Sequence, residues 1–449
     1  MKKQVCLLMA LVLMLSVGGC SKGKKADSEP STNTKTEETK EKEYVVEGII
    51  KEATSTNIIV LVNNEEMEFN HADMKLTGDI KINNKIKITY VVKNGVNIAR
   101  SGVASASENT PVATTNHKID TMIADMSLEE KVGQMFYVRC PSEAQVSDVA
   151  NYHLGGYILF DRDFNGKSFQ QVVNNIASYQ NNAKIPLLIG VDEEGGSVNR
   201  VSNYRAFRGV PFWSPQALYA SGGYDLILSD TKEKAALLKS IGINSNLAPV
   251  ADVSTNPNDF INARSFGRDA KQTSEFISKV VGEMKKDGMG STLKHFPGYG
   301  NNVDTHTGIS IDERSYKNFQ QNDFLPFKAG IDAGADSILV SHNIINCIDA
   351  NAPASLSAKV HEVLRKELGF MRVIMSDDLA MDAIKKYTDA SVAAISAIKA
   401  GNDLLICSDY RNQLPAVMKA VQNKEIDEKQ IEASVRRILE WKTSLGLFK

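Results

Sequence analysis

From residue 119 to the C-terminus, short apolar runs alternate with longer stretches in which apolar residues recur at three- and four-residue spacing. The runs cover 134–139, 157–160, 187–192, 244–249, 291–295, 337–341, 373–376 and 403–406. Each has the length and near-continuous apolarity of a strand buried on both faces. Helical periodicity falls between most of them, at 167–182, 225–241, 270–287, 358–368 and 390–400. Strands alternating with helices predict parallel βαβ units, and eight units predict a closed (β/α)8 TIM barrel, with a doubly wound open sheet as the alternative. A last helix over 427–445 carries Ile431, Val435, Ile438, Leu439 and Trp441 on one stripe, which reads as core packing.

The pattern differs before residue 118. Residues 44–103 hold short β-rich runs such as Ile58, Val60 and Val62, or Ile86, Ile88 and Tyr90, separated by Asn-rich turns. They predict a small five- or six-stranded all-β barrel of the OB or SH3-like sort. It shows no stacking aromatics or basic stripe, so a spacer or wall-contact module is expected rather than a nucleic-acid binder. Residues 104–117 read as a polar linker. Residues 21–43 consist almost wholly of Lys, Glu, Ser, Thr and Asn and predict a disordered tether. Residues 1–20 join a Met-Lys-Lys start to a short apolar core and end in Val17-Gly18-Gly19-Cys20, which resembles a lipoprotein cleavage box. Cys20 is then the lipidated residue, and the protein is expected to be exported and anchored to the outer face of the cell membrane. An ordinary secretory signal is the alternative, while the apolar run is too short for a membrane span.

Composition narrows the chemistry. A net charge of −2 argues against nucleic-acid partners. Of the cysteines, Cys140, Cys347 and Cys407 remain beyond the leader; they lack metal-ligand spacing and read as small apolar residues near strands, with no disulfide framework. In a parallel barrel, function gathers at the C-terminal strand ends, and polar residues stand there. The third strand runs into Asp192-Glu193-Glu194-Gly195-Gly196 and on to Arg200. The fourth is followed by Asp252 and Arg264, and the fifth ends in Lys294-His295, with Asp304-Thr305-His306 shortly beyond. The sixth ends in Ser341-His342 and the seventh in Ser376-Asp377-Asp378. Carboxylates, cations and histidines without a metal-ligand array suit a sugar, whose hydroxyls take charge-assisted hydrogen bonds.

From about Met126 to Phe448 the chain resembles glycoside hydrolase family 3, in its bacterial β-N-acetylglucosaminidase branch. The motifs that carry the resemblance are the Asp-x-Glu-Gly-Gly-x-Val-x-Arg run from Asp192 and the Asn-Leu-Ala-Pro-Val-Ala-Asp run ending at Asp252. They continue with Arg264-Ser265-Phe266-Gly267, Lys294-His295-Phe296-Pro297-Gly298 and the Ser-Asp-Asp-Leu-Ala-Met segment at 376–381. The resemblance implies a cofactor-free, metal-free, retaining exo-β-N-acetylglucosaminidase, expected as a monomer, acting on muropeptides or chito-oligosaccharides. Asp377 aligns with the nucleophile, Asp378 being its rival, and a carboxylate there forms a covalent glycosyl-enzyme. His306 aligns with the acid/base and Asp304 with its partner, a pairing that lets an imidazole do the work of a second carboxylate. Asp192, Arg264, Lys294 and His295 are implied to line the N-acetylglucosamine subsite. Arg200 and His342 are further members, with a structural salt bridge as the other reading of Arg200.

The chain departs from the family pattern at Tyr299, where a histidine is usual, and at Glu193 and Ser197, where Gln and Arg are commoner. These changes are expected to bear on leaving-group and aglycone preference. The second α/β domain of longer members is not expected here. Three other functions stay open. A β-N-acetylglucosaminide phosphorylase fits because a histidine does not repel phosphate. A β-glucosidase and a non-catalytic, cell-wall-binding lipoprotein are the others.

Overall fold

The computed structural model describes residues 42–105 and 111–448, apart from 63, 64, 73, 75, 79, 83 and 94. The leader with Cys20, nearly all of the tether and the middle of the linker lie outside the described residues. The chain forms two units, Met1–Thr110 and Pro111–Lys449.

In the first unit, strands Tyr44–Ala53, Asn57–Val62, Glu65–Asn70, Thr77–Gly78, Lys85–Lys93 and Val96–Ser105 make one six-stranded sheet. A bridge between Asn70 and Ile98 joins the third strand to the last and rolls the sheet up. Alternation sends Ile50, Ile58, Val60, Phe69, Ile86 and Ile88 inward, where each is at most 1% exposed. This matches the small barrel expected from the sequence.

The second unit is the TIM barrel. Its strands, in chain order, are Phe136–Arg139, Gly156–Leu159, Leu188–Val191, Ser245–Asn246, Gly290–Phe296, Ser337–Val340, Val373–Ser376 and Leu405–Cys407. Neighbours in sequence pair in parallel from the first strand to the seventh. The eighth pairs with the first, and a Met375–Leu404 bridge closes the ring. Helices cover the outside, with apolar stripes such as Phe276, Ile277, Val280, Val281 and Met284 of Ala270–Lys286 turned inward. Side chains that bond the first free amides cap several of them: Ser127 and Glu130 form a capping box for Leu128–Gln134, and Ser168 and Gln171 another for Phe169–Asn182.

Four expectations need correction. Gln134 ends a helix, so the first strand starts two residues later. The run 244–249 gives only two ladder residues, Ser245 and Asn246, and pairing returns only beyond Pro249, as a single bridge between Val250 and Lys294. The helix read as 225–241 is the second half of Pro215–Ser240, interrupted at Gly222 and at Gly223, whose φ of 64° lies in the left-handed region. The linker is shorter than expected, since the helix Pro111–Asp125 fills its second part. Among the cysteines, Cys140 and Cys407 are buried as expected, whereas Cys347 is exposed. Among the described residues, no helix is long and apolar enough to cross a membrane.

One buried cation makes stability depend on pH. Lys442, on the terminal helix Glu428–Ser444, is 0% exposed, and its Nζ donates to Gln134 Oε1 at 2.6 Å. Burial pulls its pKa down to about 7. Between that value and the ordinary lysine range the unfolded chain binds a proton that the folded chain does not. Folding stability therefore rises with pH over this window, by at most about 1.4 kcal/mol per pH unit, and the gain is absent below pH 7. Denaturant titrations from pH 7 to 9 are expected to show this rise, and Lys442→Met is expected to flatten it; an equal rise in the variant would assign it elsewhere.

Candidate active site

At the C-terminal ends of the strands opens a cavity of about 520 Å³. Its wall includes Asp192, Arg200, Arg264, Lys294, His295, Asp304, His306, Asp377 and Asp378. Of the residues that the resemblance assigns to catalysis or to the sugar subsite, His342 alone is missing from that wall.

The floor is a tight charge network. Lys294, 2% exposed, leaves the fifth strand and places Nζ 2.7 Å from Asp192 Oδ1 and 2.6 Å from Glu194 Oε1. Arg264 grips the same Glu194 with two hydrogen bonds, at 2.7 and 3.0 Å, and sets a third nitrogen contact 3.1 Å from His295 Nε2. Burial alone would raise the Glu194 carboxyl, but the charges of Arg264 and Lys294 outweigh it and hold the group well below the usual carboxylate range. Lys294 shows the mirror case. Burial works to discharge it, and Asp192 and Glu194 keep it raised and charged. On the other side of the His295 ring, Nδ1 meets Asp252 Oδ2 at 2.7 Å. The floor is therefore a fixed array of donors and acceptors, already paired and aimed at one space.

Glu194 is the key residue that sequence reading passed over, although it stands inside the Asp192 motif. The sharp turn through Gly195 and Gly196, with φ of 103° and 68°, carries the chain away so that Glu194 stays inside. Glu194→Gln leaves two buried cations short of a counter-charge. It is expected to lower folding stability by about 3 kcal/mol in chemical denaturation, and a loss under about 0.5 kcal/mol would show that the charges do not depend on one another.

Other residues shape the walls. Glu193 is fully buried, and its carboxylate accepts the backbone N–H groups of Arg200, Val201 and Ser202 at 2.8, 2.7 and 3.1 Å. It fastens the loop that carries Arg200. Arg200 lies 3.5 Å from Asp161 and 5.7 Å over the Phe160 ring, so it is both a cavity residue and a member of a salt bridge. Arg139, over the same ring at 4.1 Å, and Phe260 also line the cavity and were not foreseen.

Above the floor stand the reacting-group candidates. Asp377 follows the seventh strand, and its Oδ1 accepts the Asp378 amide at 2.8 Å. Burial pushes the Asp377 carboxyl up, but the positive potential of His342 and His295 and that amide bond prevail, leaving it below the ordinary value. Asp378 differs: burial raises its carboxyl, and its Oδ1 is occupied by the Ala380 amide at 2.9 Å. Asp377 is thus the carboxylate whose charged form its surroundings favour. His342 lies beneath both, 0% exposed, with Nδ1 2.7 Å from Ser355 Oγ and Nε2 3.0 Å from the Asp378 carbonyl. With both ring nitrogens engaged it has none left for a sugar; it supports the strand end instead. Burial holds His342 below its ordinary value.

The loop after the fifth strand brings in the second reacting pair. His306 Nδ1 lies 2.6 Å from Asp304 Oδ1, which also accepts the His306 backbone N–H at 2.9 Å. The carboxylate fixes the ring through Nδ1, and 57% of the His306 side chain is exposed. Behind the loop, Arg314 binds Asp312 at 2.7 Å, Asp323 at 3.0 Å and the Gly298 carbonyl at 2.9 Å. Tyr299, Glu193 and Ser197, where the chain departs from the family pattern, do not themselves line the cavity. Among the described residues, no group of three or more His, Cys, Asp or Glu side chains stands so as to hold a metal ion.

Comparison with known proteins places the barrel in a family. Residues 127–441 match the glycosyl hydrolase family 3 N terminal domain. A β-hexosaminidase of Nitrosomonas eutropha is 35% identical over 263 residues, covering 57% of this chain and 74% of its own length. Another, from Stenotrophomonas maltophilia, is 34% identical over 281 residues, covering 61% of this chain and 82% of its own. A solved glycoside hydrolase family 3 β-N-acetylglucosaminidase from a Paenibacillus species superposes with a TM-score of 0.67 at 30% identity. That match covers 72% of this chain and 63% of the other, so this chain spans less than two thirds of that longer protein. With the family match running through every strand of the barrel, the chain belongs to glycosyl hydrolase family 3.

Proposed function

We propose that this glycoside hydrolase is a retaining exo-β-N-acetylglucosaminidase, with Asp377 as nucleophile and His306, oriented by Asp304, as acid/base. The observation that carries the reading is that an ionised Asp377 shares one cavity wall with an imidazole whose Nδ1 is held by a carboxylate at 2.6 Å. In the first step a carboxylate oxygen of Asp377 bonds to the anomeric carbon as the glycosidic bond breaks, and His306 gives its proton to the departing oxygen. In the second, His306 takes a proton from water, whose oxygen bonds to the same carbon and frees Asp377. Asp192, Lys294, Arg264 and His295 are assigned to the hydroxyls of the terminal sugar, because their charges are paired and fixed before it arrives. Arg200 is assigned to the rim. The names of the two β-hexosaminidase relatives support the choice of sugar.

Muropeptides and chito-oligosaccharides are the proposed substrates. Lipidated Cys20 and the polar tether are proposed to hold the enzyme at the outer face of the cell membrane, with the small β module as spacer. A panel of chromogenic glycosides, assayed with and without phosphate, tests the activity. The expected result is selective release from the β-N-acetylglucosaminide with no sugar phosphate formed. Preference for the β-glucoside, or formation of a sugar 1-phosphate, would overturn it.

A further inference from the structure

Tyr299, which breaks the Lys-His-Phe-Pro-Gly-His-Gly pattern, has a place in the fold that the sugar site does not explain. It is 1% exposed and packs in a small apolar cluster with Val250 and Ile261. Its backbone N–H donates to Asp252 Oδ1 at 2.7 Å, and the other oxygen of that carboxylate holds His295. The ring stands edge-on to His295 at 5.2 Å and tilted to Phe260 at 5.7 Å. From this fixed position its hydroxyl lies 2.5 Å from Thr305 Oγ1. Thr305 is 0% exposed, while Asp304 and His306 on either side expose 28% and 57% of their side chains.

Thr305 is therefore the buried anchor of an otherwise open turn. Among the described residues, the His306 ring bonds Asp304 and nothing else, so the dyad fixes its own internal geometry but not its place over the cavity. The flanks have their own ties, Asn302 to Asp312 upstream at 2.5 Å and Lys386 to the Thr307 carbonyl downstream at 2.9 Å. Tyr299 alone among these ties the turn itself to the barrel floor, through Asp252.

We propose that the Tyr299–Thr305 hydrogen bond sets His306 over the reaction centre, making Tyr299 a positioning residue that acts through Thr305 and touches no substrate. The inference rests on the acid/base reading of His306 and adds what holds that group in place. Displacing a proton donor by about 1 Å is enough to cost roughly 100-fold in rate.

The test uses the full chain with Tyr299→Phe, which keeps the ring and removes the hydroxyl, and with Thr305→Val. Two readouts are compared: kcat/KM on β-N-acetylglucosaminides with a poor alkoxide and with an activated aryl leaving group, and hydrogen exchange of residues 300–310. Tyr299→Phe is expected to lose about 10- to 100-fold on the poor leaving group and less than about 3-fold on the activated one. Exchange over 300–310 is expected to quicken while strand Ser337–Val340 keeps its protection. Thr305→Val should reproduce both changes, and the double variant should be no worse than either. Equal losses on both substrates, or wild-type kcat/KM on the poor leaving group, would overturn the proposal. If the wild type cleaves no β-N-acetylglucosaminide, the proposed activity fails, and exchange alone decides the positioning claim. Faster exchange confined to 300–310 then supports it, and unchanged exchange overturns it.

Discussion

Asp377→Asn is expected to reduce kcat on a chromogenic β-N-acetylglucosaminide by about 10⁴-fold or more, because the variant lacks the carboxylate proposed to form the glycosyl-enzyme and the reaction loses its divided path. The amide keeps the shape of the side chain and a carbonyl oxygen for the Asp378 N–H, so the fold is expected to survive, as a melting temperature within a few degrees of wild type would show. Asp378→Asn is the informative companion. Its Oδ1 serves the Ala380 amide and burial raises its carboxyl, so a structural loss far smaller than that of Asp377→Asn is expected. A reversed order of the two losses would exchange their roles.

His306→Ala is expected to separate substrates by leaving group. On an alkyl or sugar leaving group, kcat/KM should fall about 10²- to 10⁴-fold, the usual worth of a positioned acid. On an activated aryl group, which departs without a proton, kcat/KM should change little. With that substrate the second step becomes limiting, since the base is gone, and kcat and KM are both expected to fall. Azide, a nucleophile that needs no deprotonation, should then restore kcat and yield the β-glycosyl azide. Equal losses in kcat/KM on both substrates, or no response to azide, would remove His306 from the acid/base role.

The barrel was legible because its strands are buried on both faces and so read as apolar runs between helical periods. The fourth strand was overestimated because apolarity and ladder pairing are different properties; Leu247 and Ala248 are buried there, yet the ladder ends at Asn246. The Gly222–Gly223 break hid the first half of a helix, since two glycines leave no apolar stripe to follow. In the site, Asp192, Lys294, His295 and Asp377 were legible as polar residues at strand ends, and the family resemblance set them apart from their neighbours. Residues whose role depends on direction were not. His342 and Glu194 both sit beside motif residues, and only the turn geometry sends one below the strand end and the other into the cation pair. Tyr299 stood out as a departure, but its burial and its bond to Thr305 depend on how the loop folds back, which residue type does not convey.

The most direct test of the account is the identity of the residue that carries the sugar. The enzyme is inactivated with a 5-fluoro-β-N-acetylglucosaminyl fluoride, which forms the glycosyl-enzyme quickly and releases it slowly, and the tryptic peptide 373–385 is sequenced by mass spectrometry. The account predicts one added sugar, on Asp377. A sugar on Asp378, or turnover of the reagent with no covalent adduct at any stage, would contradict it.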